Sequence, residues 1–145
     1  MSDNSVNYAD LIINAIKAHI SEYAVEYRDP TKKMKEHQAL DKPTSVVFRL
    51  NNRVLEKFSI SYEVIKSNGK RYISTPKFGF QALDVEYYGV HAIEFRRNFS
   101  TNPKKFIVGL DNLTNAKIHV AYKAKRGLIY IDLTELPLTH DMGIS

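Results

Sequence analysis

The chain has 145 residues and a formal net charge of +5, which arises from 21 Lys and Arg against 16 Asp and Glu. That length suits one domain with a buried core, and the absence of cysteine excludes disulfides, thiolate metal sites and cysteine nucleophiles. The polar start lacks a signal-peptide pattern and no apolar run reaches the ~20 residues of a membrane span, so we expect a soluble, cytoplasmic protein without membrane contact.

Residues 8–27 are predicted to form an amphipathic helix, because their apolar members recur at three- and four-residue spacing and share one stripe. Asn7 can cap the first turn, and Asp29-Pro30 favours a helix end because the residue before proline avoids helical angles. Ile13 and Ala24 lie beside the stripe and widen it, which indicates a second cover such as a partner subunit. The stripe consists of Tyr8, Leu11, Ile12, Ala15, Ile16, Ile20, Tyr23 and Tyr27.

Residues 28–43 are expected to be a polar linker, after which patterns with a period of two predict strands. A strand from Val46 to Leu50 leads through an Asn51-Asn52 turn into the clearest pattern of the chain. There, apolar and polar residues alternate from Arg53 to Thr75. Asn68-Gly69 within that stretch suits the positive φ angles of a tight turn, so the stretch is predicted to be a hairpin.

The second half of the chain also predicts strands, separated by turn-forming residues. Pro76 is expected to interrupt the sheet, and Gly79 between two phenylalanines indicates a bend where the backbone passes close to a neighbour. Residues 83–95 are predicted as one strand that Gly89 redirects, with Ile93 among the residues of one face. The remaining elements are a polar loop over 96–105, a short strand over 106–108, a turn region over 109–115 and a hairpin made by 118–122 and 128–133.

These elements predict an α+β fold in which the N-terminal amphipathic helix packs on a bent antiparallel sheet or partly open barrel of about seven strands. No repeat or composition break divides the chain, so residues 1–145 are interpreted as a single domain. Its parts are the helix over 8–27, the polar linker over 28–43, antiparallel strands over 44–135 and a polar tail over 136–145.

Both predicted hairpins end in positive charge, which is the better indication of a ligand in this sequence. Single-strand nucleic-acid binders combine a cationic track with aromatic rings on which bases stack, and Tyr72 and Tyr88 are the candidate rings. The opposing interpretation is that lysines at hairpin ends only keep edge strands from aggregating. The candidate residues for binding an anion or nucleic acid are Lys66, Lys70, Arg71, Arg96, Arg97, Lys104, Lys105, Lys123, Lys125 and Arg126.

The five histidines form no metal-binding or catalytic motif. His91 and Glu94 are three residues apart on a predicted strand, so they point to opposite faces and cannot share one ion. The paired His-x-Thr/Ser motif of some phosphodiesterases is absent, because Ile93 and Ala121 stand two residues after His91 and His119. No glycine-rich phosphate loop is present either. We therefore predict no catalytic residues, no metal and no cofactor.

Three functional hypotheses follow. The first is a non-catalytic assembly or interaction protein that forms a homo-oligomer or joins a larger protein assembly. Small phage tail and neck components share this size and helix-then-sheet order, which extends the hypothesis to a phage-type structural protein in the host cytoplasm or the virion. The second is a nucleic-acid-binding accessory protein that uses the basic hairpin ends. The third is a metal-independent ribonuclease with His91, His119, Arg96 and Arg97 around the scissile phosphate.

Overall fold

The computed structural model describes residues 6–20, 26–27, 43–67, 70–98, 105–123 and 126–140, and within them the side chains of 6–20, 43–62, 76–98, 105–121 and 127–139. These ranges contain two helices and ten strands. The helices are α1 (Tyr8–Ala18) and α2 (Leu110–Asn115). The strands are β1 (Glu26–Tyr27), β2 (Pro43–Leu50), β3 (Arg53–Ser67), β4 (Lys70–Phe78), β5 (Phe80–Tyr87), β6 (Val90–Arg97), β7 (Phe106–Gly109), β8 (Lys117–Lys123), β9 (Arg126–Asp132) and β10 (Thr139–His140).

The described strands form two sheets, neither of which closes into a barrel. The six-stranded sheet has the order β1-β4-β3-β2-β9-β8, and the four-stranded sheet has the order β10-β7-β6-β5. Adjacent strands are antiparallel except β2 and β9, which run parallel. The predicted mostly β fold with an N-terminal helix is confirmed, but the single antiparallel sheet or partly open barrel is wrong. Periodicity shows which residues are extended, and it does not show which strands pair.

The core lies between the two sheets and is built around phenylalanine. Phe48 and Phe58 of the six-stranded sheet meet Phe95 and Phe106 of the four-stranded sheet, with centroids 4.7 Å apart for Phe48 and Phe95 and 4.9 Å apart for Phe48 and Phe106. All four side chains are at most 2 % exposed. Aromatic rings bury more apolar area than other side chains, so these contacts hold the sheets together.

Helix α1 packs on this core through Ile12 and Ile16 and ends earlier than predicted. Asn7 Oδ1 accepts a hydrogen bond from the Asp10 N–H at 3.0 Å, which confirms the predicted cap. The helix ends at Ala18, and β1 lies where the last helical turn was expected, paired with β4. Pairing with a distant strand thus overrides the local helical pattern.

The apolar face of α1 is also rotated relative to the predicted stripe. Leu11, expected to be buried, is 52 % exposed, whereas Ile13 packs against the core. Leu55 of β3 packs against the same core. The apolar surface that the helix leaves for a second packing partner is therefore smaller than the sequence indicated.

Two hairpin turns depend on left-handed backbone angles. Asn51 and Asn52 have φ values of 51° and 66°, as a type I′ turn requires, which confirms the predicted turn between β2 and β3. Tyr88 and Gly89 have φ values of 48° and 81° and reverse the chain between β5 and β6. The prediction of one redirected strand over 83–95 is therefore wrong, because that stretch folds back on itself.

Gly79 lies in the bend between β4 and β5, where a larger residue would collide with its neighbour. A Cβ at this position would lie 2.5 Å from Ser59 Oγ, and the Gly79 N–H donates to the Ser59 carbonyl at 2.9 Å. The predicted close passage of the backbone is confirmed. Pro76 does not interrupt the sheet as expected, because it lies within β4 opposite Tyr62, beside a register shift where sheets tolerate proline.

Residues 110–115 form α2 rather than the predicted turn region. Asn112 of this helix forms hydrogen bonds with the chain segment that follows β9. The buried Asn112 side chain accepts a hydrogen bond from the Thr134 N–H at 2.9 Å and donates one to the Glu135 carbonyl at 2.8 Å. The stretch interpreted as a polar tail contains β10, which pairs with β7. The chain after β9 is thus bound to both α2 and the four-stranded sheet.

The alternation of β3 has the predicted register where its side chains are described. Phe58 and Ile60 are buried in the core, whereas Ser59 and Ser61 are exposed. A slip of one residue would exchange the two faces. The predictions outside the described residues are the turn at 68–69, helix residues 21–25, linker residues 28–42, loop residues 99–104 and the tail over 141–145.

Ile60→Ala should lower the free energy of unfolding by roughly 2–5 kcal/mol, because it leaves a cavity that the neighbouring side chains fill only in part. Ile16→Ala, at a position with 0 % exposure, should have an effect of the same size. Urea unfolding followed by circular dichroism measures both changes. Ser61→Ala is the control on the exposed face and should change stability by less than ~0.5 kcal/mol. A neutral Ile60→Ala beside a damaging Ser61→Ala would invert the face assignment.

Candidate functional site

The two basic hairpins emerge at the same end of the six-stranded sheet. β2 runs antiparallel to β3, with Ser45 opposite Ser59, and parallel to β9, with Pro43 opposite Gly127. The start of β2 therefore lies between the start of β9 and the second half of β3. Because β3 continues to Ser67, the β3–β4 hairpin extends about five residues, roughly 15–20 Å, beyond the β8–β9 hairpin.

Cations stand opposite cations in both hairpins. Lys66 pairs with Arg71 across β3 and β4, and Lys123 pairs with Arg126 across β8 and β9. Lys70 begins β4 at the same end of the sheet. Like charges that lie directly opposite each other destabilise a strand pair. Both registers therefore place basic residues at directly opposed backbone positions.

The other candidate positions do not all join these hairpins. Lys104 and Lys125 lie outside the described residues, and only the backbone of Tyr72 is described, paired with β1. Lys105 is exposed immediately before β7, and Tyr88 is 89 % exposed in the turn between β5 and β6. Lys105 and Tyr88 thus belong to the four-stranded sheet, away from the strands of the basic hairpins.

Arg96 and Arg97 are both paired with carboxylates. Arg96 Nη2 lies 3.1 Å from Glu94 Oε1. Arg97 Nη2 lies 2.6 Å from Glu56 Oε1 and donates to the Lys57 carbonyl at 2.6 Å, so it joins the two sheets. Lys57 precedes the end of β3 by ten residues, roughly 30 Å of strand, which separates Arg97 from the basic hairpin end.

A polar cluster that the sequence did not reveal lies where β2, β9 and β8 run side by side, on the face away from the core. Asp132 accepts two hydrogen bonds from Arg49, at 2.7 Å from Nε and 3.0 Å from Nη2. His119 Nε2 lies 2.7 Å from Asp132 Oδ2. The Arg49 guanidinium stacks on the Tyr130 ring at 3.8 Å from its centroid. No sequence signal could have found this set, because it depends on the parallel pairing of β2 with β9.

The charges of this cluster are matched internally. The hydrogen bond from Arg49 lowers the pKa of Asp132 against the opposing effect of desolvation, and the hydrogen bond from His119 lowers this pKa further. Asp132 in turn raises the pKa of Arg49. Because an ionised carboxylate only accepts, His119 Nε2 carries the proton in their hydrogen bond. Arg49 and His119 therefore face a carboxylate rather than an open site, and their contacts join three strands.

The four residues of the ribonuclease hypothesis are not brought together. His91 and Arg97 lie six residues apart on β6, roughly 20 Å, and Arg96 points to the face opposite that of Arg97. His119 belongs to the other sheet and contacts Asp132. Among the described residues, no group of three His, Asp or Glu side chains is arranged to hold a metal ion.

His91 lines an open cleft of about 650 Å³ between the start of α1 and strands β5 and β6. Asp84 and Glu86 line the same cleft. Both carboxylate oxygens of Asp84 accept the Ala9 N–H, at 3.2 and 3.3 Å, which places a negative charge at the N-terminus of α1. Two carboxylates in one cleft disfavour a phosphate, so this cleft does not extend the basic surface.

Each sheet ends in a strand with one unpaired edge. β8 is the last strand of the six-stranded sheet and β5 is the last strand of the four-stranded sheet. Within the described part of the chain, neither makes a backbone hydrogen bond beyond those to its single partner strand. As far as the described residues show, each edge therefore has N–H and C=O groups with which a further strand could pair.

The outer face of the four-stranded sheet, on the side away from the core, has both apolar side chains and the ion pair of Glu94 with Arg96. It carries Leu83, Val85, Val90 and Leu138, of which Val90 is 44 % and Leu138 is 37 % exposed. Leu138 is assigned to this face because a Cβ on Gly109, which pairs with Ala92, would lie 3.9 Å from Leu138 Cγ. The buried apolar side chains of α1 and α2 belong to the core on the opposite side. Neither described helix therefore covers the outer face. Ala92, Glu94 and Ile107 at its centre are nevertheless at most 8 % exposed, so its open apolar surface is confined to side chains such as Val90 and Leu138.

No protein-family model, no curated protein and no solved structure matches this chain. Neither α1 nor α2, the helices of the described residues, has the length and apolar character needed to cross a membrane. Interpretation of function therefore depends on the surfaces themselves, namely the two basic hairpin ends, the two unpaired edges and the outer face.

Asp132→Asn should lower the free energy of unfolding at pH 7 by about 1–2 kcal/mol, because it removes the charge that Arg49 and His119 face. The depressed pKa of Asp132 means that its carboxylate stabilises the folded state above its ordinary pKa of 3.8. That contribution is lost as the pH falls through the lower pKa of the folded state. The wild type and the variant should therefore differ at neutral pH and converge in strong acid.

Urea unfolding at a series of pH values measures this difference. Glu135→Gln is the control, because it removes an exposed carboxylate that has no described ion pair, and it should change stability at neutral pH by less than ~0.5 kcal/mol. A gap between wild type and Asp132→Asn that stays constant from neutral to strongly acidic pH would contradict the ion-pair account.

Proposed function

We propose that this protein is a non-catalytic assembly protein that associates with copies of itself. The observation that carries the proposal is the partly exposed apolar side chains of the outer face, among them Val85 and Val90, which adjoin the unpaired edge of β5. Contiguous apolar surface marks interaction sites in soluble proteins, and a free strand edge is a template for pairing with another chain. The two features lie side by side here, so one partner can cover both.

Exposed apolar side chains continue beyond the outer face. Tyr88 is 89 % exposed in the turn that connects β5 to β6, and Leu136 is 69 % exposed in the segment before β10. Both are close in sequence to residues of the outer face. A partner that covers the outer face would bury these side chains as well, and tyrosine is one of the residues enriched in protein interfaces.

The kind of assembly is proposed from architecture. A single domain of this size, with an N-terminal helix and a β-rich body, suits a repeated structural subunit such as a phage tail or neck component. Such a subunit would be found in the host cytoplasm before assembly and in the virion afterwards. The proposal rests on surfaces suited to contact with protein, and it includes no chemical step.

The full chain should form a homo-oligomer at micromolar concentration, because burial of the outer face stabilises association. Val90→Asp should raise the dissociation constant roughly tenfold or more, since it places an unpaired charge in the buried contact. Sedimentation velocity over a concentration series measures both expectations. Val54→Asp is the matched control at a valine that is 61 % exposed on β3, outside the outer face. A strict monomer at high micromolar concentration would contradict the proposal.

The convergence of the basic hairpins favours a second function, which is binding to single-stranded nucleic acid as an accessory protein. Cross-strand cation pairs weaken a hairpin unless an anion offsets their repulsion. A phosphate backbone laid across this end of the six-stranded sheet would contact Lys66 and Arg71 on one hairpin and Lys123 and Arg126 on the other. This candidate is compatible with assembly, because the outer face and the hairpin ends belong to different sheets.

Replacing Lys70, Arg71, Lys125 and Arg126 by Gln should flatten the salt dependence of oligonucleotide binding. Each phosphate contact that is lost should reduce the slope of log affinity against log salt by about 0.7 for a single strand. Titration of mixed-sequence oligonucleotides at several salt concentrations measures the slope. A control with the same charge change replaces Lys17, Arg53, Lys57 and Lys77 by Gln. Failure of the wild type to bind at ~50 mM salt, or an unchanged slope in the variant, would overturn this candidate.

A further inference from the structure

We propose that copies of this chain associate head to tail, with the free edge of β5 in one copy paired to the free edge of β8 in the next. This inference rests on the proposed assembly function and names the surfaces that would perform it. It derives from a match of charge and apolar pattern between two strands that belong to different sheets of the same molecule.

The two faces of β5 differ in chemical character. Asp84 and Glu86 lie on the side that faces the core, whereas Leu83 and Val85 lie on the outer face. The strand contains no Lys or Arg. A strand added at this edge therefore fits best if it brings cations to one side and apolar side chains to the other.

β8 has the complementary pattern. Ile118 and Val120 pack toward its own core, whereas Lys117 and His119 lie on the opposite face. The strand begins with Lys117, ends with Lys123 and contains no Asp or Glu. Two β8 edges in antiparallel pairing would bring lysines together, and two β5 edges would gather four carboxylates on one side. Like edges thus repel and unlike edges attract, which is a means of specificity.

One antiparallel register satisfies both sides of the new strand pair. On one side the charges of Lys117 and Glu86 then face each other, and on the other side apolar side chains face each other. In order along the strands, the register pairs Lys117 with Glu86, Ile118 with Val85, His119 with Asp84 and Val120 with Leu83.

The same pairing places the second copy over the outer face of the first. In this pairing, the core-facing side chains of β8 in the second copy lie on the same side as the outer face of β5 in the first copy. The four-stranded sheet of the second copy also lies on the core side of its own β8. The body of that copy therefore stands beside Val90 and Leu138. A strand pair alone buries less area than a stable interface needs, and contact across the outer face supplies more.

Because the two edges differ, the contact is heterologous. A pair of copies retains one free β5 edge and one free β8 edge, so a third copy can add. Contacts of this kind continue until a ring closes or a filament forms. The arrangement thus predicts an assembly with more than two subunits.

Two charge reversals test the pairing when they are combined in different chains. Glu86→Lys and Lys117→Glu should each raise the dissociation constant of the homo-oligomer roughly tenfold, because each places like charges opposite each other. An equimolar mixture of the two variants should recover the affinity of the wild type, since every contact in an alternating assembly again pairs opposite charges. Sedimentation velocity of each protein and of the mixture measures these constants.

The chain has no native cysteine, so disulfide trapping gives a second readout. A mixture of Leu83→Cys and Val120→Cys proteins should form the disulfide between unlike chains under mild oxidation. Neither variant alone should form it efficiently. A disulfide between two Leu83→Cys chains would instead show that β5 pairs with itself.

A matched control is Lys57→Glu, an exposed position outside both edges and outside the outer face, which should leave association unchanged. Thermal unfolding checks that each variant folds. If Glu86→Lys or Lys117→Glu does not fold, Glu86→Gln or Lys117→Gln takes its place. A wild-type oligomer that is insensitive to both reversals, or that shows no recovery on mixing, overturns the head-to-tail pairing and leaves the assembly proposal standing. A monomeric wild type overturns both.

Discussion

The contacts of Phe48 with the phenylalanines around it are the constraint on which the other features of the molecule depend. Its ring centroid lies 5.9 Å from that of Phe58 in the same sheet, and 4.7 Å and 4.9 Å from those of Phe95 and Phe106 in the other sheet. Successive residues of a strand point to opposite faces, so the burial of Phe48 directs Arg49 away from the core. The aromatic core thereby fixes where Arg49 meets its partners on β9 and β8.

Charge is divided between paired groups that hold the fold together and unpaired groups that lie at its margins. Arg49 and Arg97 each bond to a carboxylate, and each also stacks on an aromatic ring, Tyr130 at 3.8 Å and Phe58 at 5.0 Å. Partial burial makes such contacts stronger than exposed ion pairs. Among the described residues, Glu86 of β5 and Lys117 of β8 have no such partner, so the two sheet edges differ in sign.

Local physics determined what could be predicted from the sequence. The Asn7 cap, the Asn51-Asn52 turn and the alternation around Ile60 each depend on neighbours within a few residues, and all were predicted correctly. The parallel pairing of β2 with β9 joins distant parts of the chain, so no local pattern indicated it, and the Arg49 cluster was missed with it. Arg96 and Arg97 were interpreted as cations of a loop, but β6 extends through them and brings each to a carboxylate. The cations of the hairpin ends were visible in the sequence, whereas their convergence depends on register.

The position of β9 beside β2 also has a consequence for the order in which the chain can fold. β2, β3 and β4 can pair as soon as they are synthesised, but one side of β2 stays open until residue 132 has been made. At roughly 5–20 residues per second, translation of residues 51–132 takes about 4–16 s. During that interval the nascent chain presents the open edge of its future central strand. Premature termination before β9 would therefore leave the middle of the larger sheet unpaired, rather than merely shortening its margin.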